Sequence, residues 1–155
     1  MARFERWRAS EQGFTLIELL VAVTIVGLLA ALAIPSFLEV QRQAGDATAK
    51  SILAEAHTDA EMLALDGGGT YLSVKKAALH RDDPGLIITN TGGAYLSAAS
   101  GTADTYTLTA ISGETGDKFT LQRRADGTIA RTCKIPARTR PHGGCEHVAG
   151  VSGSW

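Results

Sequence analysis

Aromatic side chains are scarce in this chain, 6% of 155 residues, and so is net charge, with 15 Lys and Arg against 16 Asp and Glu leaving −1 at neutral pH. The first scarcity excludes a continuous aromatic path, because Tyr71, Tyr95, Tyr106, Phe119 and Trp155 are too sparse to make one. The second removes the electrostatic footprint of a nucleic-acid binder, since the cations are scattered along the chain instead of gathered on one element. No nucleophile, paired acid or cofactor motif stands out. The glycine run Gly67-Gly68-Gly69 is followed by neither Lys-Ser nor Lys-Thr and follows no strand pattern, which excludes a phosphate loop. Neither an enzyme nor a cofactor is expected. At 16.3 kDa there is room for one modest folded domain.

Hydrophobic residues nevertheless reach 45%, and much of that content is local. Residues 19–38 read LLVAVTIVGLLAALAIPSFL, 20 residues without a charge. At roughly 1.5 Å per residue such a helix spans the roughly 30 Å hydrocarbon core of a bilayer. Ahead of it Arg3, Arg6 and Arg8 stand against Glu5 and Glu11, a bias that holds this end in the cytoplasm and places the rest outside.

Three readings fit this segment. Ala31-Leu32-Ala33 offers an A-x-A pattern for a secretory signal, but the apolar run exceeds the usual core of roughly 7 to 15 residues and does not end in a polar linker. A plain single-pass anchor needs only hydrophobicity. The third reading starts from Glu18, a carboxylate just inside the apolar run, where an ionisable group marks function by default and needs a partner.

Gly13-Phe14-Thr15-Leu16-Ile17-Glu18 followed by the apolar helix resembles the processing and methylation signature of type IV pilins and of type II secretion pseudopilins. The resemblance covers residues 13–38. It implies that a membrane prepilin peptidase cuts between Gly13 and Phe14 and that the new amine of Phe14 is methylated. Glu18 would then neutralise the Phe14 amine of an adjacent subunit, and an unpaired charge in low dielectric is costly enough to fix axial register. Pro35 also matches the family; with Gly27 it predicts a bend or a locally melted stretch near residues 31–35.

Beyond residue 38 an Ala-, Glu- and Gln-rich segment continues the helix to about Leu65. Ala49, Ile52, Leu53, Ala56, Ala60 and Leu63 recur at spacings of mostly three and four, which draws one apolar stripe. Asp46, Lys50, Glu55, Asp59 and Glu61 are expected on a solvated face or between subunits. His57 and Glu61, one turn apart, are expected as an exposed pair, with no metal. Asp66 and the three glycines end the helix.

Residues 70–104 read as a surface loop with one short strand at residues 86–88. Alternation then marks strands at residues 105–111, 118–123 and 128–134. Three antiparallel strands need a cover, which the helical stripe supplies. The expected fold is therefore α+β, a long N-terminal transmembrane-plus-extended helix packed on a small antiparallel sheet, with segments 1–13 (leader), 14–38 (membrane or filament core), 39–66 (extended helix) and 67–155 (globular domain).

An exported chain with two cysteines predicts one bridge, Cys133 to Cys145, bounding a C-terminal loop. The competing use of Cys133, His142, Cys145 and His147 as a metal site lacks a tight C-x-x-C pair. Lys134, Arg138, Arg140, His142 and His147 make the same loop locally basic, a solvated surface by default and an anionic contact otherwise.

The family resemblance implies a filament subunit for adhesion, motility or DNA uptake, whose partners are like subunits, the peptidase, an assembly ATPase with its membrane platform and, before assembly, the inner membrane. A pseudopilin and a membrane-tethered binding module that never polymerises are the alternatives.

Overall fold

The computed structural model describes residues 13–136, 145 and 152–155. The leader charges and Arg138, Arg140, Pro141, His142 and His147 lie outside the described residues. Two compact units are present, 1–37 and 38–155.

Helix α1 (Leu16–Asp66) is α-helical without interruption, through both Gly27 and Pro35. No locally melted stretch occurs at residues 31–35. Pro35 removes one donor, that to the Ala31 carbonyl, and the ladder continues on either side of it; one residue on, the Ser36 hydroxyl donates to the Ala33 carbonyl at 2.9 Å. The C-terminus closes as the glycine run predicts. Gly69 N–H donates to the Ala64 carbonyl at 2.7 Å, and Gly68 sits at φ 73°, a left-handed cap that a side chain would strain.

In the second unit, Ala49, Ile52, Leu53, Ala56, Ala60 and Ala64 of α1 are buried in one core with Leu96, Tyr106, Leu108, Ala110, Phe119 and Leu121. The alanines matter because they let the sheet approach the helix backbone closely. At Gly45 even a methyl would be crowded, its Cβ falling 3.0 Å from Ser112 Oγ and 3.2 Å from Glu114 Cγ.

The sheet is a five-stranded antiparallel meander in the order β1-β2-β3-β4-β5: β1 (Tyr95–Gly101), β2 (Tyr106–Ile111), β3 (Lys118–Arg123), β4 (Ile129–Lys134) and the two-residue β5 (Ser152–Gly153). The sequence marks β2, β3 and β4 to within a residue; β1 and β5 add to the three expected strands. β1 is rich in Ala and Ser, poor strand formers, and owes its conformation to pairing with β2.

The expected loop of residues 70–104 is also corrected. It contains a helix, α2 (Lys76–Asp82), and no strand at residues 86–88. Leu86 is buried as an anchor, while the Ile87 carbonyl accepts from Leu96 N–H at 2.8 Å and so caps the free edge of β1. Further along that edge Lys75 bridges to Ser100. A covered edge cannot template unwanted strand addition.

Asp46 and Asp59 depart most from expectation. Both are buried. Asp46 accepts from the Thr115 hydroxyl at 2.6 Å, a bond that fastens the β2–β3 turn onto α1. The helical pattern misled here because a short acid beside an alanine stripe can turn inward wherever a donor from a distant turn meets it.

Gly101 tests the close crossing of β1 under the chain after α1. An added Cβ there would fall 1.9 Å from the Tyr71 carbonyl oxygen. Gly101→Ala is expected to lower stability by about 2 to 4 kcal/mol, read as a fall in thermal midpoint of the detergent-solubilised chain.

Candidate assembly site

The helix of the N-terminal unit carries its large apolar side chains exposed. Phe14, Leu16, Ile17 and Leu32 are 87%, 82%, 67% and 77% exposed, and apolar residues occupy every side of α1 through this region. A helix that is hydrophobic all round requires lipid or other apolar helices about it, and this one is long and apolar enough to cross a membrane. Its internal hydroxyl follows the same logic, Thr24 Oγ1 donating to the Leu20 carbonyl at 2.8 Å and needing nothing from outside. Apart from their own chain neighbours and the helix backbone, nothing among the described residues lies within 4 Å of a Cβ placed at Gly13 or Gly27, so neither glycine answers to packing there.

Gly13, Phe14 and Thr15 precede α1, and Glu18 occupies its first turn. Thr15 and Glu18 form a reciprocal capping box. The Thr15 N–H and hydroxyl each donate to Glu18 Oε2 at 2.8 Å, and Glu18 N–H donates back to Thr15 Oγ1 at 3.3 Å. The acid also complements the positive end of the helix dipole. The carboxylate is thereby held one turn from Phe14 with its other oxygen, Oε1, outside the box.

The second half of α1 presents an unexpected outward face. With Asp46 and Asp59 turned inward, the exposed positions Ala44, Ala47, Ser51, Ala54 and Thr58, followed by Met62 and Leu65, recur at spacings of three and four and carry no charge. Thr58 spends its hydroxyl on the Ala54 carbonyl at 3.1 Å. This second stripe was present in the spacing of the sequence, but the apolar core stripe beside it drew the reading.

Glu61 is fully engaged within the domain. Tyr71 and Tyr106 donate to its two oxygens at 2.8 and 2.9 Å, and Arg123 Nε lies 3.4 Å from Oε1 with its guanidinium over the Tyr71 ring. His57 Nδ1 hydrogen-bonds to the Tyr106 hydroxyl. Burial, with the Glu61 hydrogen bond and charge next, pushes both phenols upward, so they remain neutral donors. His57 and Glu61 thus form the expected pair one turn apart, Nδ1 lying 3.9 Å from Oε1, but the pair is half-buried and bridged as well by the Tyr106 hydroxyl. Among the described residues no group of three His, Cys, Asp or Glu side chains could hold a metal ion.

At the far end, Cys133 and Cys145 are joined by a disulfide across a sequence separation of 12. The two sulfurs cannot then serve as thiolate ligands. Trp155 packs edge-on against Phe119 and donates its Nε1–H to the Thr132 carbonyl at 2.9 Å, while Lys50 lies over both rings.

Asp59 is 8% exposed and its Oδ2 has no hydrogen-bond partner. Burial raises its pKa, and the charges of Asp83, Glu55 and Asp82 raise it further. A carboxyl whose folded pKa lies above its unfolded value binds more protons when folded, so this group makes stability fall as pH rises from the unfolded pKa to the folded one. Asp59→Asn is expected to raise the thermal midpoint at pH 7, with the gain over wild type closing as pH is lowered toward the ordinary aspartate range.

Residues 8–34 match the prokaryotic N-terminal methylation motif. The chain is similar to the type IV major pilin protein PilA of Myxococcus xanthus, 43% identical over 56 residues, which is 36% of this chain and 26% of that protein. It thus spans about a quarter of that pilin's length. Similarity to PilA4 of Thermus thermophilus, the major component of its type IV wide pilus, is 29% over 130 residues, covering 84% of this chain and 94% of the relative. A fimbrial protein of Pseudomonas aeruginosa is 27% identical over 143 residues, 86% and 93% of the two chains. No solved structure matches.

Proposed function

We infer that this chain, which belongs to the type IV pilin family, is made as a membrane-held precursor, cut once, and polymerised into an extracellular filament as a structural subunit. The observation that carries this reading is the unclad first half of α1. Among the described residues its large apolar side chains stand exposed, and its one acid is preorganised at the helix start.

A prepilin peptidase cutting between Gly13 and Phe14 fits the extended backbone ahead of the helix, where Gly13 offers no side chain to a protease cleft. The cut would leave the Phe14 amine beside the capping box. In a polymer, that amine in a neighbouring copy becomes the counter-charge for Glu18, and pairing two charges in low dielectric avoids the penalty of leaving either alone. The uncharged outer stripe on the second half of α1 suits the same polymer, since small residues let helix backbones approach. An assembly ATPase acting through a membrane platform would drive extension; adhesion, motility and DNA uptake are the roles such a filament serves.

The N-terminal mass of the protein isolated from its host tests processing. A mature chain starting at Phe14 with one added methyl group is expected. A start at Met1 or Ala2 would make it an ordinary tether, and a start at Ile34 a secreted soluble protein.

Glu18→Ala tests assembly. The variant is expected to accumulate in the membrane while filaments sheared from the cells fall by about ten-fold or more, the consequence of leaving the amine unpaired. Wild-type filament yield would instead show that Glu18 serves only as a helix cap.

A further inference from the structure

Two oppositely charged patches lie on different flanks of the domain. Lys118 of β3 and Lys134 of β4 are directly opposite one another in the antiparallel ladder, and both are exposed. Like charges placed across a strand pair repel, and neither lysine has an ion-pair partner among the described residues. The acidic patch comprises Glu55 and Asp59 of α1 with Asp82 and Asp83 at the end of α2. Arg81 answers one of these charges, its Nε lying 3.2 Å from Asp82 Oδ1. The Gly85 N–H donates to Asp83 Oδ1 at 2.8 Å, no further ion pair reaches the patch among the described residues, and at its buried end Asp59 Oδ2 lacks a hydrogen-bond partner. Both patches raise the energy of the isolated subunit, and each has the charge the other needs.

We propose that the lysine pair Lys118 and Lys134 of one subunit docks on the acidic patch Glu55, Asp59, Asp82 and Asp83 of a second copy of this chain. The occupant of the acidic patch is an ammonium and not a metal ion, because no three acidic or imidazole side chains among the described residues converge closely enough to coordinate one. The two patches cannot meet within one subunit. α2 touches the sheet at β1, one edge of the meander, whereas the lysines stand on β3 and β4, across the strand order. A contact between different flanks of two copies is heterologous, so it leaves a free patch at each end and propagates as an open helical array instead of closing a dimer. The proposal rests on the filament reading and adds to it the surface that sets lateral register.

The test compares filaments sheared from cells with the membrane-held pool. Lys118→Glu with Lys134→Glu, and separately Asp82→Lys with Asp83→Lys, are each expected to reduce sheared filaments by about ten-fold or more, because like charges face to face oppose docking. Combining all four reversals in one chain restores the sign of the contact and is expected to return the yield to within about three-fold of wild type. Oxidation of Cys133 and Cys145 in the membrane pool, read by thiol labelling, reports folding of each variant. Should a reversed chain fail to fold, Lys118→Gln with Lys134→Gln decides: its filaments are expected to come apart at lower salt than wild-type filaments, and equal salt resistance would overturn the proposal. Wild-type yield from either reversed pair, or no recovery in a folded combined chain, would also overturn it. A wild-type chain that makes no filaments at all would defeat the pilin reading, and this contact with it.

Discussion

Uncovered hydrocarbon on the first half of α1 is the constraint on which everything else in this protein depends. Each methylene left in water forgoes about 0.8 kcal/mol, and large apolar side chains from Phe14 to Val40 stand 46% to 87% exposed. Water is therefore not a tolerable surrounding for this segment. Lipid tails and the apolar helices of other copies both are, and they are nearly equivalent in hydrophobicity, so the hydrophobic effect holds the chain in one or the other without choosing between them. The choice falls to polar groups, of which the first turn has one carboxylate. In the single chain Thr15 satisfies one oxygen of that carboxylate. A cation supplied by another copy would stabilise it further in a way that lipid tails cannot.

The second half of the same helix solves a different problem by turning its polar groups inward. Asp46 meets Thr115, Glu61 meets two tyrosines and an arginine, and Lys50 lies over Phe119 and Trp155. Each of these joins the helix to a different part of the sheet and its connections, and partly buried charged hydrogen bonds are the stronger kind. The outward stripe from Ala44 to Thr58 is left small and uncharged. Such a face permits close helix packing but specifies little about it, because Ala and Thr surfaces match one another in many registers.

What was legible in the sequence follows the range of the interactions concerned. Residues 19–38, the core stripe from Ala49 to Ala60 and the alternation through β2, β3 and β4 are local patterns, and local patterns state period and burial directly. The disulfide was legible because a chain with two cysteines behind an apolar N-terminal helix has one pairing to make. β1 and α2 were not, since Tyr95–Gly101 has weak strand character and acquires it from β2, while seven residues of helix give too short a period to recognise. Nor was the inward turn of Asp46 and Asp59. The partner of Asp46 lies 69 residues away in the β2–β3 turn, and the charges around Asp59 come from the end of a helix the sequence did not reveal.

That division also separates what holds the polymer together from what gives it shape. Apolar helices supply cohesion that is strong and nearly blind to direction. Charges supply direction, and they do so most sharply when wrongly paired arrangements bring like signs together. A lysine pair that repels itself and an acid patch that destabilises its own buried member are liabilities in a free domain, and the opposite flank of another copy would relieve each. Placing them across the sheet makes that relief available to every subunit in turn. A bland helix face can therefore be tolerated inside the array, because the register it leaves undetermined is fixed at the domain surface.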